Sequence, residues 1–465
     1  MNNPLVTVYV TNHNYGRYLK RAVDSLLIQS LQDFELIVID DGSTDDSRQV
    51  IESYYSGHPK INIIYQQNKG LNVTNNIALR VARGTYIMRL DADDYLDENA
   101  LLLMSNKLEE DKGLGLIFPD YFLVDADENI LGLERRHTFE KDVSMLDQPA
   151  HGACTMIRRD FLLEVGGYDE SFSCQDGYDL WLKFTAKYRV ANINLPLFYY
   201  RQHGANLTRN EDRLLTTRAA MKELHANENH PALPTIAILP VRGTKTSQGN
   251  LAMQPLGDKR VIDWLIEEAL QSKAIDMLVV TTSDEAIRNH VEEKYQNNPR
   301  FLYQQRPSQQ ARLNVGLSET VQFILDQPAV TELQPQAIML LSIEFPFVTA
   351  NNMTDAVNTL QIFHADSVVS VRPDSDMFFQ HHGQGLQPIL GMNRFTRLER
   401  EALFRHAGGL SVTRTTSFAE HQAFISGQVS HIVVSQQAAH AIRSEYDMTI
   451  ARLLAARQPA NETRM

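Results

Sequence analysis

The chain has 465 residues, 43% hydrophobic and 22% charged, and this balance is typical of a globular protein rather than a disordered one. Its length exceeds what one hydrophobic core usually serves, so we expect two domains. A formal net charge of −13 argues against general binding of nucleic acid or of an anionic membrane surface, but it is compatible with a local basic pocket for phosphate.

Short β-rich runs alternate with longer amphipathic patterns in the first half. The predicted strands are Leu5–Val10, Glu35–Asp40, Ile61–Tyr65 and Thr85–Leu90, and a predicted helix covers Arg17–Gln29. This alternation predicts a largely parallel sheet flanked by helices. Ligands of such sheets bind beyond the carboxyl ends of the strands. The acidic residues that follow the second and fourth strands are therefore expected to face one crevice.

The stretch LDADDYL, Leu90–Leu96, places three carboxylates in four positions directly after an apolar run. Unpaired, Asp91, Asp93 and Asp94 would repel one another at neutral pH. A hard divalent cation prefers carboxylate oxygens and would relieve that repulsion. Read alone, the stretch is either a metal site or a solvated turn.

The strand and helix pattern restarts in the second half. Polar residues and three prolines between Ala226 and Pro240 predict a linker, and a boundary near Asn229 gives domains of residues 1–228 and 229–465. The elements predicted beyond the linker are a strand over Ile236–Leu239, a helix over Val261–Gln271 and a strand over Met277–Thr281. Two α/β domains are therefore expected.

The number of cysteines and the lengths of the apolar runs indicate the cellular compartment of the protein. The two cysteines, Cys154 and Cys174, are too few for a zinc cluster and fit small core residues in a reducing cytoplasm. The stretch MNNPLVTVYV lacks the features of a signal peptide, and the longest apolar run, AIMLLSIEFPFV, is too short to span a bilayer. We expect a cytoplasmic protein, with peripheral attachment to the inner face of the membrane as the alternative.

A series of motifs in the first half carries a family resemblance. In chain order they are VTNHNYGRYL, FELIVIDDGSTDDS, NKGLNVTNNIAL, ARGTYIMRLDADDYL, HGACTMIRRDFLLEVGGYDESF, QDGYDLWLKF and YYRQHGANLT. Together, over residues 4–210, they resemble a family 2 glycosyltransferase of the GT-A fold. The resemblance implies an inverting, metal-dependent transfer of a sugar from a nucleotide-diphosphate donor, with a UDP-sugar favoured. It also implies Mn2+ or Mg2+ as cofactor and a surface polysaccharide or lipid-linked glycan as acceptor.

The resemblance gives the acidic turn a role. A diphosphate leaving group needs its charge offset, and a divalent cation held by carboxylates can do this. Asp93 is then the principal metal ligand, Asp91 lies near the metal or the ribose, and Asp94 supports them. His203, in YYRQHG, is either a further ligand of the metal or diphosphate or a surface histidine.

Four residues are candidates for binding the donor nucleoside by the same resemblance. Asp41, in IDDGSTD, is similar to the family residue that accepts a hydrogen bond from uracil, a role that suits an acceptor-only carboxylate. Thr11 and His13 lie in the loop that packs on the base, where the family commonly has Tyr instead of His13. Asn68, in NKGLN, is the fourth candidate. A helix cap by Asp41 from Ser43 onward is compatible with base binding.

An inverting transfer also needs a general base for the acceptor hydroxyl. The family places it in an acidic pair, usually Glu-Asp, before an aromatic-rich helix, and this chain has Gln175-Asp176 there. Asp176 is the preferred candidate, and Asp179 is the second choice or a carboxylate complementing the helix dipole. Gly167, in GGYD, is expected either to let backbone approach the acceptor or to end a helix.

The second half resembles, over residues 235–455, the cytidylyltransferases that activate sialic acid and related acidic sugars. The resemblance rests on ILPVRGTKTSQGN, RPSQQARL, IMLLSIEFPFVTA, FRHAGGLSVTR and IRSEYDMTIARLL. It makes Arg242, Lys245 and Asn250 candidates for nucleotide binding, whereas Gly249 replaces a second lysine of the family.

The metal carboxylates of that second family are missing. Its Asp-Ile-Asp motif falls on Ala441-Ile442-Arg443, and an arginine cannot bind a cation. We therefore expect a catalytically silent domain, with Asp284 and Glu285 as the alternative carboxylates if a metal site exists elsewhere. Cytidylyltransferases of this type commonly dimerise, so the resemblance also implies a homodimer through the C-terminal domain.

Three hypotheses follow for the whole protein. The first is a glycosyltransferase whose second domain is a scaffold, a dimerisation element or a nucleotide sensor. The second is a bifunctional enzyme that also makes a CMP-activated acidic sugar, and the third is a non-catalytic nucleotide-binding protein. The joint presence of Asp41, Asp91, Asp93 and Asp176 argues against the third, because decay of an unused site should have removed at least one of them.

Overall fold

The chain forms two compact units in this computed structural model. The first comprises Met1–Asn210 with Met377–Glu401, and the second comprises Glu211–Asp376 with Ala402–Met465. The residues that the structure describes are 3–135, 152–172, 174–203, 211–242, 250–307, 316–374, 376, 378–381, 383, 385–389 and 403–457.

The first unit is built around one mixed sheet. Its strands are β1 (Val6–Asn12), β2 (Phe34–Asp41), β3 (Ile61–Gln66), β4 (Tyr86–Asp91), β5 (Tyr95–Leu96), β6 (Leu114–Val124), β7 (Ile130–Glu134), β8 (Met156–Arg158) and β9 (Arg189–Arg201). Its helices are α1 (Gly16–Leu27), α2 (Ser47–Tyr55), α3 (Leu71–Val81), α4 (Ala100–Glu110), α5 (Arg159–Glu164) and α6 (Asp176–Lys187). All four strands predicted for this half are present, each within two residues of its expected ends.

The sheet has the strand order β3-β2-β1-β4-β8-β6-β9-β5, with β7 paired to β6. Strands β1 to β4 run parallel, and β8 pairs antiparallel with both β4 and β6. Alternate side chains of the parallel strands enter two separate cores: one holds Leu36 and Val38 with α1, α2 and α4, and the other holds Ile37 and Ile39 with α3, α5 and α6. This period of two is why continuous apolar runs form strands buried on both faces.

The second unit has a similar arrangement of strands and helices, formed by another part of the same chain. Its strands are β10 (Thr235–Val241), β11 (Pro255–Leu256), β12 (Lys259–Arg260), β13 (Met277–Thr282), β14 (Phe301–Gln305), β15 (Ala337–Leu341), β16 (Ser367–Asp374), β19 (Leu403–Arg414) and β20 (Val429–Val433). The strands β17 (Phe379–His381) and β18 (Leu386–Pro388) lie in the Met377–Glu401 segment of the first unit and form a separate antiparallel pair. The helices are α7 (Glu211–Asn229), α8 (Val261–Gln271), α9 (Glu285–Tyr295), α10 (Leu317–Leu325), α11 (Pro328–Leu333), α12 (Ala350–Ile362), α13 (Thr415–His421) and α14 (Glu445–Arg457).

The main sheet of the second unit has the order β14-β13-β10-β15-β19-β16-β20. Strands β14, β13, β10 and β15 are parallel, and β19 is antiparallel to β15. Helices α8, α9 and α12 pack on one face, and α10, α11 and α13 on the other. The predicted class, two Rossmann-like α/β domains, is confirmed.

Helix α7 belongs to the second unit, although the predicted boundary at residues 228/229 assigns it to the first domain. It packs on α12, where the ammonium of Lys222 pairs with Asp355 and donates to Thr359 Oγ1 over 2.8 Å. Helix runs through Asn229 and β10 begins at Thr235, so the irregular connection is shorter than the predicted linker. Within the described residues, no helix is long and apolar enough to cross a membrane.

Candidate active site

The first unit gathers polar side chains at the carboxyl edge of its parallel strands. Thr11, at the end of β1, is in register with Ile39 of β2 and Asp91 of β4. The Thr11 hydroxyl donates to Asp91 Oδ1 over 2.8 Å. Asp41 ends β2 beside them. The strand order therefore brings Thr11, Asp41 and Asp91 to one edge, as expected from the sequence.

His13, Asp41 and Asn68 meet where the loops after β1, β2 and β3 converge. His13 Nδ1 lies 2.9 Å from the carbonyl oxygen of Asp41, and the Asn68 side-chain amide lies 3.2 Å from His13 Nε2. The Asp41 carboxylate accepts hydrogen bonds from the backbone N–H groups of Lys69 and Gly70, at 2.8 and 3.0 Å. The expected cap by Asp41 of a helix from Ser43 is absent, since α2 begins at Ser47 and Asp41 instead orders the loop before α3.

Asp93 and His203 form a pair at the acidic turn. His203 Nε2 lies 2.9 Å from Asp93 Oδ2, and both side chains are largely buried. The ring of Tyr18 stacks on His203 with centroids 5.5 Å apart, and Tyr15 meets the same ring edge-on. Burial and the charge of Asp93 raise the pKa of the Tyr15 phenol above its ordinary value, so it stays protonated at neutral pH. Sequence reasoning predicted Asp93 and His203 but neither tyrosine.

Arg201 holds the backbone of the acidic turn in place. This fully buried side chain donates from Nε to the carbonyl oxygen of Asp93 over 2.8 Å, and its backbone N–H donates to Asp94 Oδ1 over 2.8 Å. Burial, reinforced by the charges of Asp93 and Asp91, raises the pKa of the Asp94 carboxyl well above its ordinary value. Asp94 therefore shapes the turn from inside the protein.

Arg89 connects the acidic turn to the first residue of α6. Its Nη1 donates to Asp176 Oδ2, and its Nη2 donates to Asp91 Oδ2 over 3.4 Å. Burial opposes the charge of Arg89, but the Asp176 and Asp91 carboxylates outweigh burial and raise the pKa of the guanidinium above its ordinary value. Asp91 and Asp176, which are 85 positions apart in the sequence, are thus brought to one side chain.

Asp179 lies in a different cluster. Its carboxylate accepts from Lys183 Nζ over 2.7 Å, and the same ammonium donates to the carbonyl oxygen of Gly167 over 3.1 Å. Burial raises the pKa of the Asp179 carboxyl despite the nearby charge of Lys183. The structure thus separates the two candidates for the base: Asp176 contacts the Arg89–Asp91 pair, and Asp179 contacts Lys183.

Gly167 sits in the turn that ends α5. Its N–H donates to the carbonyl oxygen of Leu162 over 2.9 Å, and its φ is +70°, a left-handed conformation that favours glycine. A Cβ at this position would lie 2.7 Å from Asn76 Oδ1. The helix-ending alternative therefore accounts for this glycine, and its described contacts are with α3, α5 and Lys183.

Arg89 is the site residue that sequence reasoning missed. It lies two residues after Ile87 on β4, so its side chain points to the same face as that core residue, and the strand is buried on both faces. A charged side chain in a strand of this kind needs a partner, because an unpaired buried charge is very costly. The arginine in TYIMRL was the available signal, since carboxylates were the only charges close enough in the predicted crevice to pair with it.

In the second unit, the nucleotide-binding candidates fall at the equivalent edge. Arg242 follows β10, and Asn250 Nδ2 donates to Asp284 Oδ2 over 3.3 Å. Lys245 lies outside the described residues. The other oxygen of Asp284 caps α9 by accepting from the N–H groups of Ala286 and Ile287, so Asp284 has a structural role.

Arg306, directly after β14, is a second residue that the prediction missed. It is 1% exposed, and its Nε donates to Thr320 Oγ1 over 3.1 Å. Within the described residues, its Nη1 and Nη2 have no hydrogen-bond partner. Burial and the nearby charge of Arg242 lower the pKa of the Arg306 guanidinium. Two arginines near the carboxyl edge of a parallel sheet are suited to an anion.

Arg443 occupies a position where the resemblance to cytidylyltransferases implies a metal-binding carboxylate, and it forms hydrogen bonds there. Its Nε donates to Glu344 Oε2 over 2.8 Å, and its backbone N–H donates to Asp447 Oδ2 over 3.0 Å. Glu344 is therefore neutralised by an arginine. This pair does not offer free carboxylates to a cation.

The donor set of the first unit fits a divalent cation that is shared with a ligand. In the described parts of the chain, no three His, Cys, Asp or Glu side chains are arranged to hold a metal by themselves. Asp93 and His203 offer two adjacent donors, whereas Asp91 is engaged by Thr11 and Arg89. Mg2+ in phosphate-handling sites is typically held by one or two carboxylates together with substrate phosphates, which matches two protein donors.

Comparison with known families agrees with both resemblances. Residues 7–166 match the family model described as Glycosyl transferase family 2, and residues 236–317 match the model described as Cytidylyltransferase. The first half of the chain is thus similar to family 2 glycosyltransferases, and the beginning of the second half is similar to cytidylyltransferases.

Several relatives match just under half of this chain. The chain is 32% identical to chondroitin synthase of Escherichia coli over 206 residues, covering 44% of this chain and 30% of that protein. It is 29% identical to hyaluronan synthase of Pasteurella multocida over 204 residues, covering 44% of this chain and 21% of that protein. A solved structure of S. aureus TarS 1-349 in complex with UDP-GlcNAc is 19% identical with a TM-score of 0.41, covering 48% of this chain and 66% of that one. The chain therefore spans less than a third of either synthase.

Proposed function

We propose that the first unit is an inverting, metal-dependent glycosyltransferase that uses a nucleotide-diphosphate sugar, with a UDP-sugar favoured. The observation that carries the proposal is the linkage of Asp93–His203, Asp91 and Asp176 at one edge of the sheet through the β4 turn and Arg89. Thr11, His13, Asp41 and Asn68 lie at the neighbouring loops and would receive the nucleoside.

Asp176 is the proposed general base. In the described part of the chain, its hydrogen bonds from Arg89 and Asn75 both end on Oδ2, so Oδ1 stays available to accept a proton. The acceptor hydroxyl oxygen, losing its proton to Oδ1, forms a bond to the anomeric carbon while the bond from that carbon to the diphosphate oxygen breaks. The nucleoside diphosphate leaves with the electron pair, and the anomeric configuration inverts.

Asp93 and His203 are the residues that would hold Mn2+ or Mg2+, with Asp91 beside them. When bound, such a cation offsets the negative charge on the departing diphosphate. The Tyr15 hydroxyl, protonated at neutral pH, is a further hydrogen-bond donor beside these residues. Asp179 remains the second candidate for the base, but its pairing with Lys183 favours a structural role.

The acceptor that we propose is a growing surface polysaccharide or a lipid-linked glycan. The names of the two relatives, chondroitin synthase and hyaluronan synthase, support a polysaccharide. The two cysteines, Cys154 and Cys174, are buried and form no disulfide, which supports action in the reducing cytoplasm, where a lipid-linked acceptor would bring the enzyme to the inner face of the membrane.

A donor-hydrolysis assay tests the first unit. We expect the full chain to release nucleotide from one member of a panel of UDP-, dTDP-, GDP- and CMP-sugars with Mn2+, and to stop when EDTA is added. Asp176→Asn should lower kcat by at least about 100-fold because the base is lost. Asp93→Asn should weaken the response to Mn2+, while Asp179→Asn, the matched carboxylate of the same helix, should keep most of the activity. Failure of the wild-type chain to turn over any donor, or full activity of Asp176→Asn, would contradict the proposal.

For the second unit we propose nucleotide binding without nucleotidyl transfer. Arg306, with two unpaired guanidinium nitrogens, and Arg242 support the binding of an anionic ligand. The pairing of Arg443 with Glu344 supports the absence of a metal-binding carboxylate pair. A scaffold role and a homodimer through this unit are compatible with the same observations, and the molar mass from light scattering tests the dimer.

Calorimetry and a pyrophosphate assay on the full chain test this second proposal. We expect CTP to bind, Arg306→Gln to lose that binding, and no pyrophosphate to form from CTP and N-acetylneuraminic acid with Mg2+. The matched control is Arg300→Gln, whose guanidinium donates to two backbone carbonyl oxygens at the opposite end of β14. Pyrophosphate release would instead support the bifunctional alternative.

A further inference from the structure

Arg89 lies between two carboxylates that have separate tasks in the proposed reaction. Its Nη1 donates to Asp176 Oδ2, while Nη2 donates to Asp91 Oδ2 over 3.4 Å. Its Nε is 3.0 Å from Asp91 Oδ1, an ion-pair distance without the alignment of a hydrogen bond. One guanidinium therefore contacts both the donor side and the acceptor side of the site.

The surroundings keep this guanidinium in one position. Arg89 is 4% exposed, so solvent does not compete for its donors. A Cβ at Gly152 would lie 2.7 Å from Arg89 Nη2 and 3.0 Å from Asp176 Oδ2, which means that the backbone of Gly152 closes directly over the pair. The Arg89–Asp176 contact is thus enclosed by backbone on one side and by the strand on the other.

Asp176 is also held from its far side. Asn75, a fully buried residue of α3, places Nδ2 3.5 Å from Asp176 Oδ2, and its Oδ1 accepts from the Tyr9 hydroxyl over 3.2 Å. The Tyr9 hydroxyl lies 3.1 Å from that of Tyr168. These contacts fix Oδ2, and among the residues that the structure describes none donates a hydrogen bond to Oδ1.

We propose that Arg89 is a positioning residue that sets the distance and orientation between Asp91 on the donor side and the base Asp176 on the acceptor side. This inference rests on the proposed transferase function. The planar guanidinium presents its donors at fixed angles, so it can orient two carboxylates at once. An in-line displacement is very sensitive to such spacing, because a misplacement of about 1 Å can cost on the order of 100-fold in rate.

A second reading of the same contacts is that Arg89 only neutralises buried negative charge. Arg89→Lys separates the two, since lysine keeps the charge but is a point donor that cannot hold both carboxylates in a fixed geometry. The probes are hydrolysis of the UDP-, dTDP-, GDP- or CMP-sugar that the wild-type chain turns over fastest with Mn2+, UDP binding by calorimetry, and thermal unfolding.

For Arg89→Lys we expect kcat to fall on the order of 100-fold, with the Kd for UDP and the Tm unchanged. If this variant does not fold, Arg89→Gln, which retains one amide donor group without the charge, replaces it. The matched control is Arg158→Lys on the adjacent strand β8, because Arg158 donates to the carbonyl oxygens of Leu108 and Leu114 and to no carboxylate of the site. This control should retain the wild-type kcat.

A double-mutant cycle then tests whether Arg89 acts through Asp176. If it does, adding Arg89→Lys to Asp176→Asn should cause no further loss of kcat, because the base that it orients is already absent. A wild-type kcat in Arg89→Lys, or multiplying losses in the double variant, would overturn the inference while leaving the transferase proposal intact. A wild-type chain that turns over no donor would remove both.

Discussion

Asp94 carries a charge that its surroundings do not fully compensate. One carboxylate oxygen accepts the Arg201 N–H, but among the described residues Oδ2 is buried without a hydrogen-bond partner. Because burial raises its pKa, the folded protein binds a proton at Asp94 more tightly than the unfolded chain does. The stability that the folded state gains from this tighter proton binding is fully present below the ordinary carboxyl pKa of about 3.9. It is lost as the pH rises through the higher pKa that Asp94 has in the folded protein.

Asp94→Asn should therefore stabilise the metal-free protein at pH 7 by roughly 1 kcal/mol or more, since it keeps an acceptor for Arg201 and is neutral without having to bind a proton. Urea unfolding in EDTA between pH 5 and 8 measures this. The variant should also lose the gain in stability that the wild type shows on acidification. Asp127→Asn, at an exposed carboxylate, is the control. A destabilised Asp94→Asn would show that the charge itself is required by the fold.

For individual residues, the sequence pointed to those that belong to a recognisable motif. Asp91, Asp93 and His203 were nominated because they stand in motifs that resemble those of family 2 glycosyltransferases, and their role in binding a metal stays a prediction. The partners of those residues were not predictable in the same way. Pairing of Arg89 with Asp176 depends on which strand β8 and α6 lie beside, and this is a property of the tertiary fold.

Helix α7 shows how an element can be assigned to the wrong side of a boundary. The prolines and polar residues correctly indicated that a helix ends near Asn229. They carry no information on which hydrophobic core that helix packs against. The deciding contact is the buried pair of Lys222 with Asp355, two residues that are far apart in the sequence. Boundaries drawn at breaks in the pattern are therefore less secure than the elements themselves.

Lys222→Met should destabilise the second unit by about 3–5 kcal/mol, because it leaves the Asp355 charge buried without its partner. Differential scanning calorimetry of the full chain should show the transition of one unit shifted to lower temperature and the other unchanged. Lys273→Met is the matched control, since Lys273 forms an exposed pair with Glu223 of the same helix and should cause no measurable change. Equal Tm values for Lys222→Met and the wild type would mean that α7 is not part of the second folded unit.

The whole molecule joins two sheets that begin with the same topology. In each, four parallel strands in the order third, second, first, fourth are followed by an antiparallel strand. This order places the first strand at the centre and directs loops from three neighbouring strands toward one edge. The alternation of strands and helices was sufficient to predict this class, since β-α-β crossovers leave few other arrangements. The later strands, which pair antiparallel or out of order, gave no such signal.

Strand β9 has a consequence for the order in which the first unit becomes functional during synthesis. It pairs with β5 and β6, ends at Arg201, and delivers both the side chain that clamps the acidic turn and, two residues later, His203. A nascent chain that has emerged only through β5 holds the central strands and Asp93 but lacks His203, the other residue proposed to hold the cation. Chains arrested before β9 should therefore be able to collapse but not to bind Mn2+ at this turn, so the proposed cation site should form only after the central strands have been synthesised.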